Sequence, residues 1–427
     1  MELSRLKVNN QYCPCVDEMP YFSWGITSKK QNVMQKSYHI TVTGAEGLVW
    51  DSGVVESDAS IFVEYKGKPF QSFSDYLWTV TATDNTGDTA TATSSFETGF
   101  MEKEWSAQWV RSPFAMKKAR KGNGGQNPAE YFRKEFVVRQ GIKRARVYAT
   151  CHGAYQLSIN GNRADDRELA PEFTLYEKYL CYQVYNVTSL LQEGHNAIGM
   201  LVGDGWYDSK NFKSRDRKFK MEHAVLFETR IEYEDGTFET VLSDDKLKVA
   251  ESPVRSSDLF AGELYDAQME QEGWNCAGFD DGGWQNGILS GAYYDNLVWL
   301  YEVKQGATTI WENYIVYEPD GSPVTTNLNH YAFGCVDDWM FRKISGIDMA
   351  APGFKKIVIK PELTETFTWA KRTYMSEYGR IGTEWHLADK NFSMNVEIPC
   401  NTTAVVYLPD GSSKEVGSGN YEFHCIV

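Results

Sequence analysis

Residues 75–98, DYLWTVTATDNTGDTATATSSFET, decide the fold class. Apolar and polar residues alternate along this stretch, and Asp84-Asn85-Thr86-Gly87 interrupts it with turn chemistry. A period of two puts one face of a strand in a core and the other in water. The same alternation runs through KSYHITVTG (36–44), GLVWDSGVV (47–55) and SIFVEY (60–65). Short strands at this spacing predict an antiparallel sandwich of fibronectin III type over residues 1–110, with Trp24, Trp50 and Trp78 filling its core.

Moving outward, RSPFAMKKARKGNGGQNP (111–128) is basic, rich in glycine and aperiodic, which reads as a linker or exposed loop. Residues 129–285 return to strands, as in AEYFRKEFVV (129–138), RARVYATCHGAYQLSINGNRA (144–164) and AVLFETRIEYEDGTFETVLS (224–243). Asn160-Gly161 and Asp235-Gly236 sit between alternating runs, as hairpin turns do. A jelly-roll-like sandwich is expected there. The pattern changes over 290–350. Leu300, Val303, Ala307, Ile310, Trp311 and Tyr314 fall at helical spacing, and a second helix is predicted over 329–346. Its apolar stripe is Phe333, Val336, Met340 and Ile344, with Asn329 as N-cap and Gly346 as stop. Strands resume in FKKIVIKP (354–361), WAKRTYMSEYGRIGTEWHL (369–387) and FSMNVEIPCNTTAVVYLPDG (392–411), which predict a closing β-sandwich over 351–427. The class is therefore mainly β, a multi-domain set of β-sandwiches with a short helical island. About 50 residues are too few to bury a core alone, so the island must pack on its neighbours.

Composition narrows the partners. The net charge of −15 disfavours nucleic acid and anionic membrane surfaces, but suits a neutral sugar or a bound cation. Cys13, Cys15, Cys151, Cys181, Cys276, Cys335, Cys400 and Cys425 are scattered without a CxxC pair, so reduced thiols in a cytoplasmic setting are the default expectation. The start, MELSRLKVNNQYCPC, shows no apolar signal core, and no run approaches the ~18 apolar residues of a membrane span.

Longer motifs carry a resemblance. VWDSGVVESDASIFVEYKG (49–67) with DYLWTVTATDNTG (75–87), INGNRADDRELAPEFTLYEKYLCYQVYNVTSLLQEGHNAIGMLVGDGWY (159–207) and VRSSDLFAGELYDAQ (254–268) resemble the β-domains of bacterial α-L-rhamnosidases, glycoside hydrolase family 78. WLYEVKQGATTIWENY (299–314), NHYAFGCVDDWMFRKISGI (329–347) and APGFKKIVIKP (351–361) resemble the end of that family's catalytic barrel and its C-terminal sandwich. The resemblance implies an (α/α)₆ barrel of several hundred residues between the β-domains and GATTIWE. Here only eight residues, 288–295, separate GGWQNG (282–287) from NLVWLYEV (296–303), so the helical island is expected to be a barrel remnant.

The resemblance also implies an inverting hydrolysis of terminal α-L-rhamnose, which needs a protonated acid and an ionised base roughly 6.5–9.5 Å apart. Glu312 matches the general base, Trp311 beside it would form an apolar wall, and His330 matches a sugar contact; no matching residue supplies the acid. Asp337 and Asp338 lie inside the helical pattern and read as solvated or ion-paired. In the 129–285 domain some relatives hold rhamnose through calcium. Asp165 and Asp166, with Asp208 and Asn211 of the GWYDSKN loop, are the candidate ligands, and an ordinary acidic turn is the plain alternative. Trp206 is a candidate sugar platform or a core residue. No cofactor is required by this chemistry. Three readings follow: an enzyme of the family, a non-catalytic protein that binds rhamnose-containing glycans, and an internally deleted gene product. Helices cut from a barrel would leave an apolar face, so docking onto a β-domain or self-association through 297–346 is expected.

Overall fold

The structure is a computed structural model. It describes residues 1–101, 103–114, 128–174, 176, 180–207, 222–258, 262–290, 338–364 and 367–427. It divides into two compact units, Met1–Glu104 with Asn329–Val427, and Trp105–Leu328. The described residues of each are mainly β-strand, as the alternation predicted.

In the first unit, the N-terminal sandwich pairs a three-stranded sheet (Glu2–Val8, Tyr21–Thr27, Val63–Glu64) with a five-stranded one. The latter runs Cys15–Val16, Thr89–Thr98, Asp75–Asp84, Gln35–Gly44, Gly47–Glu56. Between them lie Phe22, Trp24, Ile40, Trp78 and Val80, all essentially buried. Trp50 departs from expectation. It sits at the margin, half-buried, with its ring 4.9 Å from Tyr65. The outer face carries cross-strand threonine pairs, Thr79–Thr93 at 2.8 Å and Thr81–Thr91 at 2.9 Å. Buried Asp84 closes the hairpin by accepting from the Thr86 and Asp88 amides.

The C-terminal sandwich packs two four-stranded sheets around Ile357, Ile381, Trp385, Phe392, Met394 and Val406. Its buried contacts with the N-terminal sandwich are made by neutral groups, while the ion pairs Lys7–Glu377 (3.0 Å) and Lys355–Asp58 (2.9 Å) lie at the partly exposed margin. Asn401 accepts from the Gln35 amide (3.1 Å) and donates to the Asp58 carbonyl (2.9 Å), while Ser418 Oγ accepts from the Val33 amide (2.8 Å). Buried donors and acceptors must be paired in this way, or they cost stability.

Of the predicted helices, only the last turn falls within the described residues. Met340–Ile344 is a wide π turn, with the Ser345 amide bonded to the Met340 carbonyl at 3.0 Å. This corrects the expected stripe. The wide turn moves the inward face by one residue, so Phe341 and Ile344 pack on the C-terminal core while Met340 is 44% exposed. Gly346 ends the turn at φ 75°, a conformation that favours glycine. Asp338 is ion-paired with Arg342 at 2.8 Å.

The second unit is a sandwich of two six-stranded sheets. One runs Asn162–Arg163, Ala154–Ile159, Gly194–Gly203, Glu130–Val138, Lys248–Glu251, Gln285–Asn286. The other is centred on Ile142–His152 and Ala224–Tyr233. Asn160 and Gly161 both have positive φ, the signature of a two-residue hairpin turn. At Asp235-Gly236 only the glycine does. Among the described residues no helix is long and apolar enough to cross a membrane, and the described cysteines are all free.

Candidate functional site

Strand ends of the second unit converge on a buried charged cluster. Glu130 opens one strand, Asp204 follows the end of its neighbour, and His223 precedes Ala224–Tyr233. His223 Nδ1 lies 3.2 Å from Glu130 Oε2, and Nε2 lies 3.0 Å from Asp204 Oδ1. A carboxyl group on each ring nitrogen favours a proton on both. Burial opposes that charge, but the bonds to Asp204 and Glu130 outweigh it and push the His223 pKa up to about 10. Ser112 Oγ donates to the other Glu130 oxygen at 2.7 Å, and the Ser112 amide donates to the His223 carbonyl. His152 is the opposite case. Burial, with the charge of His223 adding to it, pulls its pKa down to about 3. Its ring is stacked between Trp109 (4.3 Å) and Tyr207 (5.0 Å).

Trp206 stands at this same end, half-buried, with its ring 6.2 Å from Phe173, which is 37% exposed. Tyr176 packs edge-on against both Phe173 and Tyr207. A cleft of about 480 Å³ lies between Gln156, Glu168, Gly203 and Gly205 on one side and Val254, Ser257 and Glu263 on the other. Aromatic faces beside paired polar side chains can hold a small hydroxylated ligand.

The acidic loop behaves as a turn. Asp165 Oδ1 accepts from the Arg167 amide at 3.0 Å, and its Oδ2 lies 2.6 Å from Arg167 Nε. Asp166 is exposed. Among the described residues no three His, Cys, Asp or Glu side chains come together to hold a metal ion. Both Asp165 oxygens are engaged by Arg167. Asp208, Asn211, Trp311, Glu312 and His330 lie outside the described residues.

Sequence reasoning passed over Glu130, His152, Asp204 and His223. The available signal was weak, a histidine directly before the apolar run AVLF and an aspartate inside GDGWY.

Among the described residues the fold defines the class, a multi-domain set of β-sandwiches. The domain models that match fall in chain order. They describe a Rha78A-like N-terminal immunoglobulin domain (3–102), an alpha-L-rhamnosidase N-terminal domain (140–305), a bacterial alpha-L-rhamnosidase six-hairpin glycosidase domain (294–344) and a bacterial alpha-L-rhamnosidase C-terminal domain (346–422). The chain belongs to the bacterial α-L-rhamnosidase family.

A curated alpha-L-rhamnosidase of Formosa agariphila is 30% identical over 288 residues, covering 63% of this chain and 30% of its own length. One from Streptomyces avermitilis is 39% identical over 157 residues, covering 36% of this chain and 15% of its own. The chain thus spans about 30% of the length of the first such relatives. Among solved structures, the alpha-L-rhamnosidase of Dictyoglumus thermophilum aligns with TM-score 0.83 at 16% identity, over 100% of this chain and 99% of that one. The Streptomyces avermitilis alpha-L-rhamnosidase complexed with L-rhamnose aligns with TM-score 0.82 at 15% identity, over 99% and 100%. At these identities the likeness is one of fold.

Proposed function

We propose that this chain is a glycan-recognising member of the α-L-rhamnosidase family that does not, as it stands, hydrolyse rhamnosides. The observation that carries this reading is the extent of the barrel match, residues 294–344 alone, beside β-domain matches over 3–102, 140–305 and 346–422. Inversion needs two carboxyl groups held on opposite faces of the sugar. Glu312 is the candidate base by family resemblance, and no partner acid is assigned in so short a piece. A lone carboxylate cannot both protonate the leaving oxygen and activate water on the other face. Rhamnose-containing glycans are the ligand class, as the relatives' names suggest. The site favoured for them is the Phe173–Trp206 aromatic edge beside the cleft at Gln156 and Glu168.

Proton NMR of the chain incubated with a terminally rhamnosylated glycoside tests the hydrolytic half. The expected spectrum shows no free rhamnose anomeric signal. A growing signal that disappears in Glu312→Gln would overturn the reading.

A further inference from the structure

The outer face of the C-terminal sheet has an organisation that core packing does not require. The sheet runs Trp369–Met375, Arg380–Ala388, Asn391–Ile398, Gly419–Ile426. Ile381, Trp385, Phe392, Met394, Val396 and Phe423 point into the core. By alternation Trp369, Lys371, Gly382, Glu384, Asn395 and Glu397 therefore face out. Register aligns them in rows across the strands, with Lys371 beside Glu384 and Asn395, and Thr373 beside Gly382 and Glu397.

Gly382 sits in the middle of this face with no positive φ to explain it. Its missing side chain makes room. A Cβ there would meet Glu397 Cβ at 3.3 Å and Glu397 Oε2 at 3.4 Å. Around it opens a hollow of about 530 Å³, within the size range of ligand pockets. Its charges are matched in pairs, Lys371–Glu384 at 2.9 Å and Arg380–Glu397 at 2.9 Å. Asn395 and Asn420 add amides that both donate and accept. Two residues before Lys371, on the same face, Trp369 is 59% exposed, with its indole stacked on His386 at 6.4 Å and 16°.

Paired charges of both signs give no net pull on an ionic ligand. They do offer alternating donors and acceptors to a row of hydroxyls, and an exposed indole offers an apolar face. We infer that this face is an oligosaccharide-binding groove centred on Gly382, with Trp369 as its stacking platform. Its ligand class deepens the glycan-recognition reading above and rests on it, but the site is a separate one on a different sandwich.

Affinity electrophoresis of the full chain through gels containing rhamnogalacturonan tests it, with dextran gels as control. The variants are Trp369→Ala, an exposed change that leaves the core intact, Gly382→Val, which fills the hollow, and Trp206→Ala on the other sandwich. The expected result is retardation of the unmodified chain that weakens about tenfold in Trp369→Ala and in Gly382→Val, and weakens further when Trp206→Ala, which belongs to the separate site proposed above, is combined with either. Binding unchanged in both groove variants overturns the inference. If Trp206→Ala alone abolishes that binding, glycan recognition survives at the other sandwich. No retardation of the unmodified chain overturns this groove, while the question of hydrolysis is answered separately by rhamnose release.

Discussion

The sandwich of the second unit and the joined sandwiches of the first solve the burial of polar groups in opposite ways. The former encloses full charges. His223 is flanked by Glu130 and Asp204, and Arg133 is fully buried with Asp281, with Glu135 at 2.6 Å and with the Trp274 and Cys276 carbonyls. The latter join at their buried centre through amides and hydroxyls of Gln35, Ser60, Asn401 and Ser418, and keep the ion pairs Lys7–Glu377 and Lys355–Asp58 at the partly exposed margin. Removing one member of a buried charged set strands the others in low dielectric, whereas a lost neutral partner costs only one group's desolvation. The contrast teaches that the second unit should be the more sensitive to single changes and to pH.

The largest effect is expected at His223. Replacing it with alanine leaves two carboxylates facing each other and should cost about 3–5 kcal/mol, read by urea denaturation. The same residue sets a pH dependence. Its folded pKa of about 10 lies above its ordinary value of 6.5. Its contribution is therefore whole below about 6.5, declines above it, and is gone once pH passes about 10. Unfolding curves between pH 7 and pH 10.5 should fall in stability for the unmodified chain, with that slope flattened in the alanine variant. Equal slopes would remove the charged half of the comparison.

Next in size, Arg133→Met should cost about 2–4 kcal/mol and loosen the 274–284 segment, whose Trp274 and Trp284 rings stack with Tyr131. Tryptophan fluorescence checks it, with a red shift preceding global unfolding. Asn401→Ala should cost less, about 1–3 kcal/mol, because the stranded groups are neutral. A loss as large as that at His223 would erase the distinction. Smallest of all, Thr81→Ala on the outer face of the N-terminal sandwich should change stability by less than about 0.5 kcal/mol, although its hydroxyl is bonded to Thr91.

Much of this architecture could be read from the chain. Alternation along 75–98 fixes an edge-to-edge pattern in which Tyr76, Trp78, Val80 and Ala82 point inward, and they do. Gly346 marks the helix end because few other residues adopt its φ. The charged cluster was not legible. Glu130, Asp204 and His223 are far apart in sequence, each looks like an ordinary surface residue, and only strand pairing brings them together. The inward face of the last helical turn was misjudged at Met340 because a π turn breaks the period that the prediction used.

On the proposed reading, family membership here does not bring turnover. Release of nitrophenol from an aryl α-L-rhamnoside, followed for the chain and for Glu312→Gln side by side, measures it most directly. Traces that match each other and the buffer are expected, from protein shown to be folded by its circular dichroism. Turnover by the chain that is lost in Glu312→Gln would contradict it, and would mean that a second carboxyl group completes the site.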